Sequence, residues 1–116
     1  MHFKLIIALT EDSITDKVVE AARHKGATGS TVISSARGEG LKVAKTFLGL
    51  SLETQRDVVL LLVEEHMSRD ILETIELAGE FEANPGSGIA FSVDVEDAVG
   101  VSNQVHQLSE IVEEEI

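Results

Sequence analysis

The chain has 116 residues and a net charge of −12 at pH 7. Nucleic-acid backbones and anionic membrane surfaces repel such a surface, so neither is expected as a general partner. The length fits a single domain, and the hydrophobic fraction of 43% is typical of a globular protein. The absence of cysteine excludes disulfides and thiol chemistry. The first apolar run ends at Leu9, before Glu11, which is too short for a signal peptide or a membrane span, so we expect a cytoplasmic protein.

The first third of the chain has the pattern of a strand, a helix and a second strand. Residues 3–9, FKLIIAL, form an apolar run of strand length. Ser13 and Asp16 resemble a capping box, which predicts that a helix begins there, and Gly26 is a suitable residue to end it. Residues 28–35 alternate in part and carry β-branched side chains, which predicts the second strand.

The middle of the chain contains a long connection followed by a strongly apolar run. Residues 37–54 lack a clean strand or helix period, which predicts a connection with at most one short helical turn. Residues 57–63, DVVLLLV, predict a strand at the centre of a sheet. Ser68 is the predicted N-cap of a second helix, with Met67 and Leu72 spaced as a hydrophobic staple.

The last third contains a turn and a fourth strand. Gly79 is expected to end the second helix. The sequence NPGSG at 84–88 is the strongest turn signal in the chain, and GIAFSVDV at 88–95 predicts a strand. Residues 103–116 form an acidic tail.

The predicted order is βαβ, a long loop, then βαβ. Two such units of matched length predict an α+β, ferredoxin-like fold with an antiparallel sheet. Pairing the units places both helices on one sheet face and leaves the other face in need of cover. In small proteins of this kind a second subunit often supplies that cover.

Catalytic and metal-binding motifs are weak. The four histidines are scattered without metal-ligand spacing, and Glu64-Glu65-His66 is the one carboxylate–imidazole cluster. Adjacent side chains at a strand end diverge, so we expect a solvated strand end there rather than a metal site. Ser34 and Ser35 have no histidine or lysine at motif spacing. We therefore expect neither an enzyme nor a metal site.

Two glycine loops are candidate anion sites. Arg37-Gly38-Glu39-Gly40 follows a predicted strand, and Gly86-Ser87-Gly88 precedes one. Glycines allow successive backbone N–H groups to turn toward one point, and such concavities bind phosphate or carboxylate. Arg37, Lys42 and Lys45 add positive charge to a strongly acidic chain. The alternative interpretation is that both loops are simply turns.

Residues 37–54 also carry apolar side chains without a regular pattern. Exposed patches of this type often mark contacts with a partner protein. The alternative is that the loop folds back and buries them. The predicted partner-docking residues of this segment are Lys42, Lys45, Phe47, Leu48 and Leu50.

Two stretches in this order and spacing resemble the PII family of nitrogen-regulatory signalling proteins. They are GATGSTVISSARGEG at 26–40 and PGSGIAFSVDVEDAVGV at 85–101. The resemblance implies one domain over 1–102, with a signalling loop at about 37–54. It further implies a homotrimer with ligands in the clefts between subunits, usually adenine nucleotides such as ADP, ATP or AMP. The loop would dock on a protein target, such as a membrane transporter or a metabolic enzyme.

The resemblance also implies which residues bind the ligand. Gly86, Ser87 and Gly88 would cradle phosphate, and Arg56 would occupy a basic position that can reach it. The full set implied by matched position is Ile7, Thr31, Arg37, Gly38, Gly40, Arg56, Gly86, Ser87 and Gly88.

Three cations of the family are replaced in this sequence. Ile89 stands where a lysine usually pairs with phosphate, and Gly100 and Ser102 stand at about the positions of two arginines. Since charge-assisted contacts contribute about 1.5–3 kcal/mol each, triphosphate binding should be weakened. Two alternatives stay open: Arg37, Lys42 and Lys45 replace the missing charge, or the ligand is a smaller anion such as a nucleoside monophosphate, a diphosphate or bicarbonate. The chain has no tyrosine, so it lacks the loop tyrosine that the family modifies. Two other functions stay open: a passive trimeric interaction module and a CutA-like metal-tolerance protein.

Overall fold

The computed structural model describes residues 1–36, 46–47, 50–51 and 56–102. The helices within these ranges are α1 (Thr15–His24) and α2 (Glu65–Gly79). The strands are β1 (Phe3–Glu11), β2 (Thr31–Ala36), β3 (Thr46–Phe47), β4 (Leu50–Ser51), β5 (Arg56–Glu64) and β6 (Gly88–Val95).

Four of the strands form one antiparallel sheet in the order β2-β5-β1-β6. β1 lies between β5 and β6 and pairs with both along nearly its whole length. The predicted α+β, ferredoxin-like fold is therefore confirmed. β5, predicted at the centre of the sheet, is one of its two inner strands.

The connection between β2 and β5 differs from the prediction where it is described. β3 and β4 pair with each other as a separate two-stranded sheet, with Phe47 opposite Leu50. The described part of this segment is thus a short hairpin rather than a helical turn. The remaining residues of 37–54, and the acidic tail at 103–116, lie outside the described residues.

The predicted capping residues of both helices are wrong. α1 has Ile14 at its N-cap without a side-chain cap, so Ser13 does not cap it. α2 begins at Glu65, directly after β5, and the carboxylate of Glu64 accepts the hydrogen bond from the backbone N–H of His66 at 2.8 Å. Because the strand passes into the helix without a loop, Ser68 is buried in the first turns instead of capping them.

The predicted C-termini of the helices are confirmed. α1 ends at His24, and Gly26 follows with a φ of 119°, a conformation that favours glycine. α2 ends at Gly79, where the next residue, Glu80, is left-handed with a φ of 54°.

One face of the sheet packs against both helices. β1 contributes Ile6 and Ala8 to this core, and Val18 and Ala22 face it from α1 at a spacing of four. The buried cluster consists of Ile6, Ala8, Val18, Ala22, Ala27, Val59, Leu61, Val63, Met67, Ile71, Ile75 and Phe81.

The opposite face of the sheet is also apolar, and within the described residues no element covers it. Strand alternation puts Leu5, Ile7 and Leu9 on this face, and their register partners on β5 and β6 are apolar as well. Phe91 is 36% exposed and Val93 is 42% exposed. We call this surface the open face; its residues are Leu5, Ile7, Leu9, Ile33, Val58, Leu60, Leu62, Ile89, Phe91, Val93 and Val95.

Candidate functional site

One end of the sheet gathers several of the predicted ligand-binding segments. Ala36, the residue before Arg37, is in register with Arg56. Arg56 is in register with Glu11, the last residue of β1. The turn that precedes β6 reaches the same end, because the backbone N–H of Glu11 donates to the carbonyl oxygen of Ser87 at 3.1 Å. Ala36, which leads into residues 37–40, therefore lies close to Arg56 and to the glycine turn, although the three are distant in sequence.

Arg56 is the buried cation of this end. Its guanidinium donates to the carbonyl oxygen of Ser87 at 2.8 Å and to that of Gly86 at 2.6 Å. It also lies 3.8 Å from a carboxylate oxygen of Glu11, and only 6% of its side chain is exposed. In this arrangement Arg56 holds the turn in place. Contact between Arg56 and phosphate stays a prediction.

The glycines and the serine of the turn at 86–88 are explained by backbone conformation and by packing within the protein. Gly86 has a φ of 88°, which favours glycine. The Ser87 N–H donates to the carbonyl oxygen of Asn84 at 3.0 Å, and its hydroxyl is directed at the carbonyl oxygen of Gly79, 3.5 Å away. A Cβ on Gly88 would lie 2.4 Å from the ring of Phe81. The described contacts of Ser87 are thus within the protein, and phosphate binding by this turn stays a prediction.

Ile7 and Thr31 lie on the open face in one row of the sheet. Both are in register with Leu60 on β5, so one strand lies between them. Strand spacing places their backbones about 10 Å apart. Because Ile7 and Glu11 are four positions apart on β1, they share a face, with Glu11 toward the turn.

The remaining predicted site residues are not brought together by the described structure. Phe47 and Leu50 pair in the β3–β4 hairpin. The others lie outside the described residues; they are Arg37, Gly38, Gly40, Lys42, Lys45 and Leu48.

A cavity of about 530 Å³ lies on the helix side of the turn, between α2 and β6. Its lining includes the apolar residues Leu72 and Phe81. The charged residues of the lining are Arg69, Glu73, Glu76 and Glu82, and Arg69 already donates to Glu73 at 2.9 Å. An anion is poorly suited to this cavity because the carboxylates outnumber the single arginine.

The Glu64-Glu65-His66 cluster lies at the opposite end of β5. One carboxylate or ring atom of each residue lies within 4.8 Å of the others, so the expectation that these side chains diverge is wrong. The carboxylate of Glu64 is 4% exposed and lies 2.5 Å from Nδ1 of His66. This hydrogen bond, and the nearby charge of Glu64, raise the pKa of His66. The carboxylate of Glu64 already accepts hydrogen bonds from the backbone and the ring of His66, so the cluster forms a helix cap.

Sequence patterns did not identify Glu11 as a site residue. Its position after the apolar run of β1 is typical of a solvated strand end. Only the register, which places it beside an arginine 45 residues later, brings it into the site.

Residues 3–104 of the chain match the family model of nitrogen regulatory protein P-II. No curated protein matches the sequence. Among the described residues, neither helix has the length and the apolar character required to cross a bilayer.

Solved structures share the fold over most of the chain. A PII-like signalling protein from Thermus thermophilus is 25% identical, with a TM-score of 0.60 over 82% of this chain and 87% of that one. The apo form of CPII from Thiomonas intermedia K12, a nitrogen regulatory PII-like protein, is 19% identical, with a TM-score of 0.63 over 82% of this chain and 90% of that one. CPII bound to ADP, AMP and bicarbonate is 17% identical, with a TM-score of 0.58 over 84% of this chain and 91% of that one. Because both identities are below 25%, the CPII structures support the fold of this chain and nothing further.

Proposed function

Because the chain belongs to the nitrogen regulatory protein P-II family, we propose that it is a signalling regulator that binds a small anionic ligand and controls a partner protein. The ligand class is the adenine nucleotides. The partner is a membrane transporter or a metabolic enzyme, contacted through residues 37–54 in the cytoplasm. The chain acts by binding and not by catalysis.

The observation that carries this proposal is the convergence at one end of the sheet. Ala36, Arg56 and the turn at 86–88 meet there through strand register and three hydrogen bonds. Ile7 and Thr31 lie on the open face further along the same strands. This arrangement supports a nucleotide whose base lies near Ile7 and Thr31 and whose phosphates point toward the end of the sheet.

We propose a homotrimer as the working form. The open face leaves a continuous apolar surface on a small domain, including Ile33 at 51% exposure. Burial of apolar surface stabilises by about 25 cal/mol per Å², so packing against further copies of the chain would stabilise each subunit. The clefts of such an assembly would complete a ligand site that one subunit builds in part.

The ligand class is supported by a structural relative. CPII from Thiomonas intermedia K12 has been solved with ADP, AMP and bicarbonate. For this chain, the replacement of a lysine position by Ile89 favours the less highly charged of these ligands. ADP and AMP are therefore the first nucleotides to test, with ATP and bicarbonate beside them.

Signal transmission requires that the ligand prefer one state of residues 37–54 over another. Arg56 and Ala36 lie at the two ends of the connection that contains this segment. A ligand bound beside them would alter the segment's conformation at its base. The partner would then read that conformation.

Two measurements test the proposal. A bound nucleotide should raise the melting temperature, since a ligand stabilises by RT ln(1 + [L]/Kd). At saturation, hydrogen exchange across 37–54 should slow. Arg37→Ala should weaken nucleotide binding more than the control Lys17→Ala on α1.

Each negative result has a distinct meaning. If millimolar AMP, ADP, ATP and bicarbonate all leave the melting temperature unchanged, the chain is a passive interaction module. If binding is confirmed by calorimetry but exchange across 37–54 does not change, the switch is wrong. Equal losses in Arg37→Ala and Lys17→Ala would remove Arg37 from the site.

A further inference from the structure

An acidic side chain stands at the cationic end of the proposed ligand site. The carboxylate of Glu11 lies 3.8 Å from the guanidinium of Arg56 and is 38% exposed. Strand alternation puts it on the open face, the same face as Ile7. The proposed phosphate position thus has a partly exposed negative charge beside it.

Glu11 alters the charge balance of this end. Arg56 is 6% exposed and directs two hydrogen bonds at the carbonyl oxygens of Gly86 and Ser87. The more exposed member of the ion pair is therefore the carboxylate. A ligand that approaches from solvent meets the carboxylate first, and the pair as a whole carries no net charge.

We propose that Glu11 is a specificity-determining residue that selects against the most highly charged nucleotide. This inference rests on the proposed function, since it concerns the ligand of that same site. Repulsion between like charges grows with the charge of the ligand, so Glu11 penalises ATP more than ADP, and ADP more than AMP. The chain thereby prefers mono- and diphosphates to triphosphates.

The position of Glu11 makes this effect separable from folding. Its backbone N–H, which donates to Ser87, is retained in any substitution other than proline. The side-chain contact with Arg56, at 3.8 Å, is a loose ion pair rather than a tight hydrogen bond. Removing the charge should therefore leave the turn in place while changing the electrostatic potential at the ligand.

The test is calorimetric titration of the full chain with AMP and with ATP, without divalent cations and at low salt. The measured quantity is the ratio of the Kd for ATP to the Kd for AMP. For charges about 10 Å apart at a solvated site, where the effective dielectric constant is about 50–80, the two additional charges of ATP mean that Glu11→Gln should lower this ratio about 3- to 10-fold. Glu11→Asp keeps the charge and should keep a ratio close to that of the unmodified chain.

The matched control is Glu20→Gln, which removes another glutamate paired with an arginine, Arg23, on the exposed side of α1. In Glu20→Gln the ratio of the Kd for ATP to the Kd for AMP should not change. If Glu11→Gln reduces the melting temperature strongly, Glu11→Thr serves as a second neutral variant that suits a strand.

The outcomes separate this inference from the proposed function. A ratio that falls in the neutral variants and stays in Glu11→Asp and Glu20→Gln supports the role of Glu11. A ratio that is unchanged in the neutral variants, or that falls equally in Glu20→Gln, overturns it and leaves nucleotide binding established. Failure of the unmodified chain and of every variant to bind either nucleotide overturns both.

Discussion

The guanidinium of Arg56 donates to the carbonyl oxygen of Ser87 at 2.8 Å, across 31 residues of sequence. The same group donates to Gly86, so one buried cation ties the start of β5 to the turn before β6. A buried arginine is tolerated only where its charge and donors are satisfied. The two carbonyl oxygens accept from two N–H donors of Arg56, and these hydrogen bonds fix the turn against the sheet.

Arg56→Met should lower the free energy of unfolding by about 2–3 kcal/mol, since it leaves the carbonyl oxygen of Gly86 without this charged donor. Urea unfolding at a fixed protein concentration measures the loss. The control is Arg23→Met, because Arg23 is 67% exposed on α1 and its ion pair with Glu20 is screened by solvent, so this substitution should cost less than Arg56→Met. Equal losses in the two variants would contradict the bracing role of Arg56.

The ring of Phe81 packs against Gly79 and Gly88, and this contact predicts a second effect on stability. A Cβ on Gly88 would lie 2.4 Å from the Phe81 ring and 2.9 Å from the backbone oxygen of Leu9. Gly88→Ala should therefore destabilise by about 1–3 kcal/mol, because the ring and the strand must both move. Thermal unfolding measures the change.

Gly29→Ala is the matched control, since a Cβ there has nothing within 4 Å. It should change stability by less than about 0.5 kcal/mol. Adding Phe81→Leu to Gly88→Ala should recover part of the loss by removing the ring contact. No recovery would place the strain at the backbone of Leu9 instead.

Local signals allowed much of the fold to be predicted. β6 spans the predicted residues 88–95 because a turn signal fixes its start and apolar residues continue after it. Gly26 marks a helix end because its φ of 119° lies in a region that favours glycine, a preference that is visible in sequence. Gly79 is the last residue of α2, although the left-handed residue there is Glu80. These features depend on near neighbours in the chain.

One local feature and one long-range feature could not be predicted. Glu64 caps α2 through the N–H of His66, two residues on, and this cap was missed because the strand enters the helix without a loop. The Glu11–Arg56 pair requires the register of β1 against β5 to be known to the residue. The resemblance to PII proteins placed Arg56 in the site, but its contacts with the turn carbonyl oxygens follow only from the structure.

His66 predicts a pH dependence at the start of α2. The hydrogen bond that the His66 ring donates to the carboxylate of Glu64 raises the pKa of His66 above its unfolded value of about 6.5. A raised folded pKa means that the charged imidazole stabilises the fold below the unfolded pKa, and that this contribution is lost as pH rises through the folded pKa. An NMR titration of the His66 ring should give a higher midpoint than that of the His66 ring in the urea-unfolded chain.

Glu64→Gln should return the midpoint of His66 toward the unfolded value, because the amide carries no charge. Glu73→Gln, on the same helix but paired with Arg69, is the control and should leave it unchanged. If the two substitutions shift the midpoint equally, the general charge of the helix and not the cap is responsible.

The open face predicts the assembly most directly. Phe91 and Val93 lie on it at 36% and 42% exposure, on the edge strand β6. Phe91→Glu would place a charge in the proposed subunit contact, where it would be desolvated without a partner. Sedimentation at micromolar concentration should show three copies of the 12.5 kDa chain before the substitution and one after it.

Leu77→Glu is the control for that substitution, because Leu77 is 72% exposed on the outer surface of α2. It makes the same change in charge on a face outside the proposed subunit contact, so the assembly should persist. If Phe91→Glu stays trimeric, or if the unmodified chain sediments as a single copy, the open face is not the subunit contact. A trimer lost equally in both variants would instead point to a general effect of added negative charge on a chain whose net charge is already −12.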